Sequence, residues 1–289
     1  MIMNRLKTAF LLGLLSAVLY LFGYWIGGFQ GVWFAFIISL VLNFVTYFYS
    51  DRIVLSMYGA KPLERGSYQH IYEMVEDLCA VQKIPMPKLW YIATPMANAF
   101  ATGRNPKNAS VAVTQGILDL LDEHELRGVL AHEISHVVNR DILVGTIAAT
   151  MATAISHLAN MLQWAFIFGT GRSDDRKANG MGALFAAIFM PIAATLIQLG
   201  ISRSREYLAD ETGAKACQDP LALASALEKL GSAAKYQHAQ PSSNAEANMA
   251  SLFIVYPFSG KNILHWFSTH PPMEKRIERL RKMAMQNRY

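Results

Sequence analysis

Residues 8–50 contain no Asp, Glu, Lys, Arg or His. A helix rises about 1.5 Å per residue and needs about 20 apolar residues to cross the hydrocarbon core of a bilayer. The run is long enough for two crossings. Gly27, Gly28, Gln30 and Gly31 interrupt it near the middle, as a tight turn would, so helices are expected over residues 8–27 and 32–50. A cleaved signal peptide would share the basic start at Arg5 and Lys7. It would not be followed at once by a second apolar segment, and no small-x-small cleavage site stands out.

Two later runs repeat the pattern. Residues 142–171 hold one ionisable side chain, His157, and residues 178–202 hold none, with Pro191 inside the second run. A second hairpin is expected there, the alternative being long buried core helices. Charged residues make up 16% of the chain, against about a quarter in an ordinary soluble domain. The order is therefore a membrane hairpin at 1–50, a polar segment at 51–141, a second hairpin at 142–202 and a second polar segment at 203–289.

The polar segments carry the folding signals of a globular unit. Ile71, Met74, Val75 and Leu78 recur at helical spacing within 67–82. Short strands are expected at 88–93, 97–103 and 110–114, where Val111 and Val113 alternate with small residues. Asp122 with Glu125 three residues on forms a capping box, and Leu126, Val129, Leu130, Ile134 and Val137 continue that helix along one face. Residues 238–248 are small and polar, as in a loop.

That helix contains His132-Glu133-Ile134-Ser135-His136. Histidines four apart stack on one helix face, so both rings can reach one metal ion. Glu133 lies about 100° around the helix, where it can hold a water as general base. Zinc suits imidazole and carboxylate ligands, and its catalytic sites keep three protein ligands and one open position. A third ligand is available in Ser204-Arg205-Glu206-Tyr207-Leu208-Ala209-Asp210. Glu206 and Asp210 are again one turn apart. One can ligate while the other orients a ligand histidine through its far ring nitrogen. Two crossings between His136 and Glu206 would return the chain to the same side of the membrane, so the three ligands can meet.

Other features narrow the function further. The net charge is +5, with Lys275, Arg276, Arg279, Arg281, Lys282 and Arg288 near the C-terminus. A basic helix beside a bilayer meets anionic lipid or solvent, and no nucleic-acid-binding motif is present. Cys79 and Cys217 do not have metal-site spacing and are compatible with a reducing compartment. Arg5 and Lys7 before the first span, and the uncharged turn after it, put the N-terminus and both polar segments in the cytoplasm. The loop at 172–177, with three basic residues, runs against that rule. Either the rule is broken there or the second hairpin does not fully cross.

The chain resembles the HtpX-type membrane zinc peptidases, relatives of the CaaX prenyl endopeptidases. The likeness rests on the hairpin order, Asn98-Ala99-Phe100-Ala101-Thr102-Gly103, the HEISHVVNRD segment at 132–141, SRSREYLAD at 202–210 and STHPP at 268–272. It implies a mainly α membrane protein: two transmembrane helical hairpins plus an α+β zincin-like peptidase domain with a small β-sheet. It implies one Zn²⁺ per chain on His132, His136 and Glu206, with Glu133 as base. Asp210 then becomes the residue that orients a ligand. The resemblance further implies that the 98–103 segment is an edge strand that pairs with substrate, with Asn98, Ala99 and Phe100 as substrate-binding residues. His270 and Arg276 are implied to lie near the scissile carbonyl. The expected enzyme is an endopeptidase of the bacterial inner membrane with its peptidase domain facing the cytoplasm. It clears misfolded or damaged membrane proteins in quality control and stress response, beside other quality-control proteases and among phospholipid. His70, His124, His157, His238 and His265 have no partner pattern and are read as core or surface residues.

An intramembrane protease would carry its motif within a hydrophobic span. Here Asp122, Glu123, Glu125 and Arg127 precede the motif and Asn139, Arg140 and Asp141 follow it, which sets the site at the membrane surface. A zinc-holding scaffold without catalysis would be expected to lack the base, and Glu133 is present.

Overall fold

A computed structural model of the chain describes residues 2–153, 155, 203–237, 254 and 271–286. Its first element, α1 (Ile2–Met57), doubles back at Gly27 and Gly28. Gly28 has φ 57° and ψ −140°, a region that only glycine enters without strain. The two halves then run antiparallel. Asn43 Nδ2 donates to Ser16 Oγ across them at 2.8 Å, and Leu11, Leu15 and Leu19 pack with Ala35. The second half, Gly27–Met57, is the one described helix long and apolar enough to cross a membrane. Leu6–Leu21, its partner, is apolar but shorter. Phe29, Phe34, Ile37, Leu40 and Phe44 remain exposed along the longer helix, an apolar surface larger than water tolerates on a soluble monomer.

The helix runs on to Met57 rather than ending at residue 50. Val54 and Leu55 there are buried with Ile92, Phe100 and Ala112 of the sheet, so the last turns of the helix are held by packing on that sheet. Of the second expected hairpin, only Ile142–Thr153 is described as a continuous helix, here α5. Its Val144, Ile147 and Met151 pack on Leu11 and Leu15 of α1. The rest of that hairpin lies outside the described residues.

Among the described residues four strands form one sheet: β1 (Lys61–Pro62), β2 (Lys88–Ile92), β3 (Ala99–Gly103) and β4 (Ala109–Thr114). The order is β1-β2-β4-β3. β2 and β4 are parallel, while β3 is antiparallel to β4 and is the last strand of the sheet among the described residues. A 3₁₀ turn, Pro106–Asn108, links β3 to β4. Thr114 closes β4 and caps α3 (Gln115–Leu120), its Oγ1 accepting from Ile117 N. The expected strands are all present. β1 and α3 had no period long enough to be read from the sequence.

Helix α2 (Gln69–Gln82) buries Ile71, Val75, Leu78 and Cys79. It packs with the central helix α4 (Glu123–Val138), which opens on the capping box of Asp122 and Glu125. Behind α4 lie α6 (Arg203–Cys217), α7 (Pro220–Gln237) and α8 (Met273–Met285). The core they share includes Val75, Ile117, Val129, Leu130, Ile134, Leu227 and Leu280. One-faced burial of α4 was expected. Instead every residue from Gly128 to Ser135 is buried, because α6 and α7 cover the face that its local pattern leaves for solvent.

Candidate metal centre

His132 and His136 stand one turn apart on α4, and their Nε2 atoms are 3.1 Å apart. The other nitrogen of each ring is held by a carboxylate. Asp210 Oδ1 lies 3.0 Å from His132 Nδ1, and Asp141 Oδ2 lies 3.1 Å from His136 Nδ1. An Nδ1–H donated to a carboxylate leaves the lone pair on Nε2. Two lone pairs aimed at each other repel unless a proton or a cation sits between them.

Glu206 on α6 completes the cluster. Its Oε2 is 3.8 Å from His132 Nε2 and its Oε1 is 3.6 Å from His136 Nε2. One ligand atom from each of the three residues lies within 4.8 Å of the others. Nitrogens at about 2.0–2.1 Å from a tetrahedral zinc would stand about 3.3 Å apart, close to the spacing of the two rings. Two imidazoles and a carboxylate are also the donor chemistry zinc prefers. The residues therefore fit a divalent metal.

Tertiary packing sets this convergence. α6 lies against α4 at Gly213, where a Cβ would come within 2.9 Å of His132 N. Only a residue without a side chain allows that approach, which brings Glu206 and Asp210 up to His132. Asp141 reaches His136 by a different route. α4 ends at Asn139, and Arg140 takes φ 55°. The chain reverses, Asp141 N donates to His136 O at 3.3 Å, and the Asp141 carboxylate swings back under the ring.

Glu133 is 4% exposed. Its Oε2 accepts from Ala101 N of β3 at 2.8 Å. Burial pushes its carboxyl up to about 7, with Glu206 adding to the rise against the pull of His136. Burial lowers His132 below the ordinary imidazole value, Arg276 adding to that against the Asp210 hydrogen bond. Burial also opposes charge on His136, but Asp141 more than offsets it and raises that ring. Without a metal, His136 is thus the ring that holds a proton between the two Nε2 atoms.

The remaining expected site residues are more scattered. Asn98, just before β3, and Ala99 and Phe100, its first two residues, are 0%, 0% and 1% exposed. Phe100 packs on Val54 and Leu55 of α1, and Asn98 Oδ1 accepts from Ile254 N at 3.2 Å. All five residues of β3 are buried, backbone included. Arg276, expected beside the scissile carbonyl, lies behind His132 and is 1% exposed. Its Nε and Nη2 both donate to Asp210, at 2.9 and 2.6 Å. It does not face lipid or solvent as the basic C-terminal pattern suggested. α8 also buries Leu280, and the helical period turns Arg276 inward with it. His270 lies outside the described residues. Cys79 and Cys217 are free thiols.

The sequence gave Asp141 no role in the centre and placed Ala101 only within the substrate-pairing 98–103 strand, not against Glu133. Asp141 carried a signal, an acid just past the end of the histidine helix. Ala101 carried none, because the group it contributes is a backbone N–H that any residue but proline has.

Residues 67–284 match Peptidase family M48. The "Protease HtpX homolog" of Syntrophobacter fumaroxidans is 50% identical over 283 residues, 97% of this chain and 99% of that protein. Those of Thermococcus sibiricus and Pyrococcus furiosus are 50% and 49% identical, each over 96% of its own length. Among solved structures, S. mikatae Ste24p is 18% identical with a TM-score of 0.48, covering 96% of this chain and 65% of that one. With a family match over most of its length and full-length relatives at half identity, the chain belongs to the M48 metalloproteases.

Proposed function

We propose that the chain is a membrane-bound, zinc-dependent endopeptidase that cuts misfolded or damaged membrane proteins, in membrane quality control and the stress response. The observation that carries the reading is the convergence of His132 Nε2, His136 Nε2 and Glu206 beside a buried Glu133. His132, His136 and Glu206 would hold the ion. Zinc, when bound, makes water acidic enough to act as a nucleophile near neutral pH and polarises a carbonyl.

The chain's own groups supply the rest. Ala101 N–H fixes Glu133 Oε2 and leaves Oε1 to take a proton from the attacking water and pass it to the leaving amine. Asp210 and Asp141 hold the ligand rings in one tautomer and orientation. β3 ends the described sheet, and Ala101 turns its N–H away from β4. By strand alternation the backbones of Ala99 and Gly103 face the same way. All five β3 residues are buried, so a substrate strand would have to displace what covers them before pairing main chain to main chain, a mode that suits unfolded segments of any sequence.

Charge asymmetry around the first hairpin supports a multi-pass protein of the bacterial inner membrane with its peptidase domain in the cytoplasm. Its partners are then phospholipid, unfolded polypeptide and other quality-control proteases. The deciding experiment is metal analysis of the detergent-purified chain with peptide hydrolysis measured before and after chelation. Zinc at one per chain, loss of activity on chelation and recovery on zinc addition are expected. Undiminished hydrolysis by the metal-free protein would overturn the mechanism.

A further inference from the structure

A cavity of about 450 Å³ opens where the membrane helix meets the sheet. Arg52, Lys88, Arg104 and Lys107 line it, against one carboxylate, Asp51. None of these four cations has an ion pair among the described residues. Lys61, Lys83 and Arg279 likewise have no ion pair among the described residues, whereas six other cations are paired. Arg65, Arg127, Lys215, Lys229, Arg281 and Lys282 each meet a carboxylate. Four cations against one carboxylate give the cavity a net positive lining, which favours an anion.

The cavity's position says which anion. From the turn at Gly28, the helix needs about 30 Å to reach Phe48 at about 1.5 Å per residue, which matches the hydrocarbon thickness of about 30 Å. Phe44, Phe48 and Tyr49 form the membrane side of the cavity and are exposed by 56%, 42% and 42%. Tyr rings such as that of Tyr49 collect at the headgroup level of a bilayer. Two of the cations rest on Phe48 and Tyr49. Arg104 Cζ lies 5.1 Å above the Phe48 ring, and Arg52 Cζ lies 5.5 Å from the Tyr49 ring. Those contacts hold the guanidinium groups at the boundary while leaving their N–H edges free for phosphate oxygens. The cavity shares no residue with the metal centre.

We propose that this cavity binds the phosphate headgroup of an anionic phospholipid, with Arg52 and Arg104 on the phosphate and Lys88 and Lys107 adding charge. It rests on the reading of α1 as a membrane helix. The bound lipid would fix the height at which β3 and the metal centre stand above the bilayer. The loop carrying Arg104 and Lys107 joins β3 to β4, so the site grips the same strand pair that supports Glu133.

The test uses the full chain purified in a neutral detergent, with native mass spectrometry reading bound dioctanoyl phosphatidylglycerol, dioctanoyl phosphatidylcholine and inorganic phosphate. Wild type is expected to hold phosphatidylglycerol at least about tenfold more tightly than phosphatidylcholine. Arg52→Gln with Arg104→Gln should weaken phosphatidylglycerol by about 30-fold, taking each cation at its usual worth near a membrane surface. Arg281→Gln, on α8, should leave it unchanged. Should the double variant fold poorly by its melting curve, exposed Lys107→Gln alone is expected to cost about fivefold. Equal retention of the two lipids, or a cavity variant that folds and binds as wild type does, would overturn the proposal. Inorganic phosphate binding as tightly as the lipid would make the ligand a free anion and overturn the headgroup. Carbonate washing of cell membranes reads anchoring separately. Release of the chain there would sink the membrane reading itself, whatever the lipid data.

Discussion

Arg276 grips both oxygens of Asp210, at 2.9 and 2.6 Å, while Asp210 Oδ1 also faces His132 Nδ1 at 3.0 Å. A residue from the last described helix thereby sets the charge of the group that aims a metal ligand. Burial works to raise Asp210, but Arg276 more than offsets it and holds that carboxyl down at about 2. Arg276 Nη1 also donates to Ile254 O at 3.4 Å, and Ile254 N donates to Asn98. The clamp thus links the histidine helix to the start of β3.

Arg276→Ala leaves Asp210 as a buried carboxylate without its cation. Breaking such a pair from one side costs about 3–5 kcal/mol, so a large fall in melting temperature and partial loss of metal are expected. Arg276→Lys keeps the charge but not the two-pronged contact and should fall between. Thermal melting and metal content of the three proteins, side by side, check this. A wild-type melting curve for Arg276→Ala would rule the clamp out.

Glu133→Gln keeps the shape of the side chain and the acceptor for Ala101 N–H while removing the base. It should retain zinc and lose about 10²–10⁴ in turnover. Metal-loaded Glu133→Gln that turns over like wild type would remove Glu133 from the mechanism.

Glu206→Ala deletes one of three ligands and should abolish stable zinc binding. Asp141→Asn and Asp210→Asn each remove one hold on a ligand ring, and each should cost about 10–100-fold in metal affinity or activity. Zinc titrations on all three separate ligand from support. Full occupancy in Glu206→Ala, with loss in Asp210→Asn, would exchange the two roles.

Metal binding should weaken as the solution becomes more acidic. Asp141 raises the metal-free His136 above the ordinary imidazole value. Its proton therefore stabilises the metal-free fold below the unfolded value of about 6.5, and that contribution is lost as pH rises through the raised folded value. A metal must displace this proton, so affinity should fall about tenfold per pH unit on the acid side of the folded value. Zinc titrations at about pH 6 and about pH 8 should then differ by about 100-fold. Asp141→Asn should flatten the dependence. Equal affinity at the two pH values would show that His136 carries no such proton.

Local pattern alone determined the elements that carry the chemistry. The charge-free run at 8–50 required apolar helices, and Gly27-Gly28 required the reversal between them. Asp122 and Glu125 fixed the start of α4, and four-residue spacing put His132 and His136 on one face. These depend on neighbours within a turn or two of helix, so a linear sequence displays them. Tertiary structure alone decided what those residues meet. Gly213 had to lie on α4 before Glu206 and Asp210 could reach His132. Arg276 had to be buried by α8 before it could take Asp210, and β3 had to end the sheet beside α4 before Ala101 could hold Glu133. The Ala101–Glu133 and Arg276–Asp210 contacts, for example, join residues 32 and 66 positions apart. No sequence period spans such distances, and the partners become neighbours only once the core is packed.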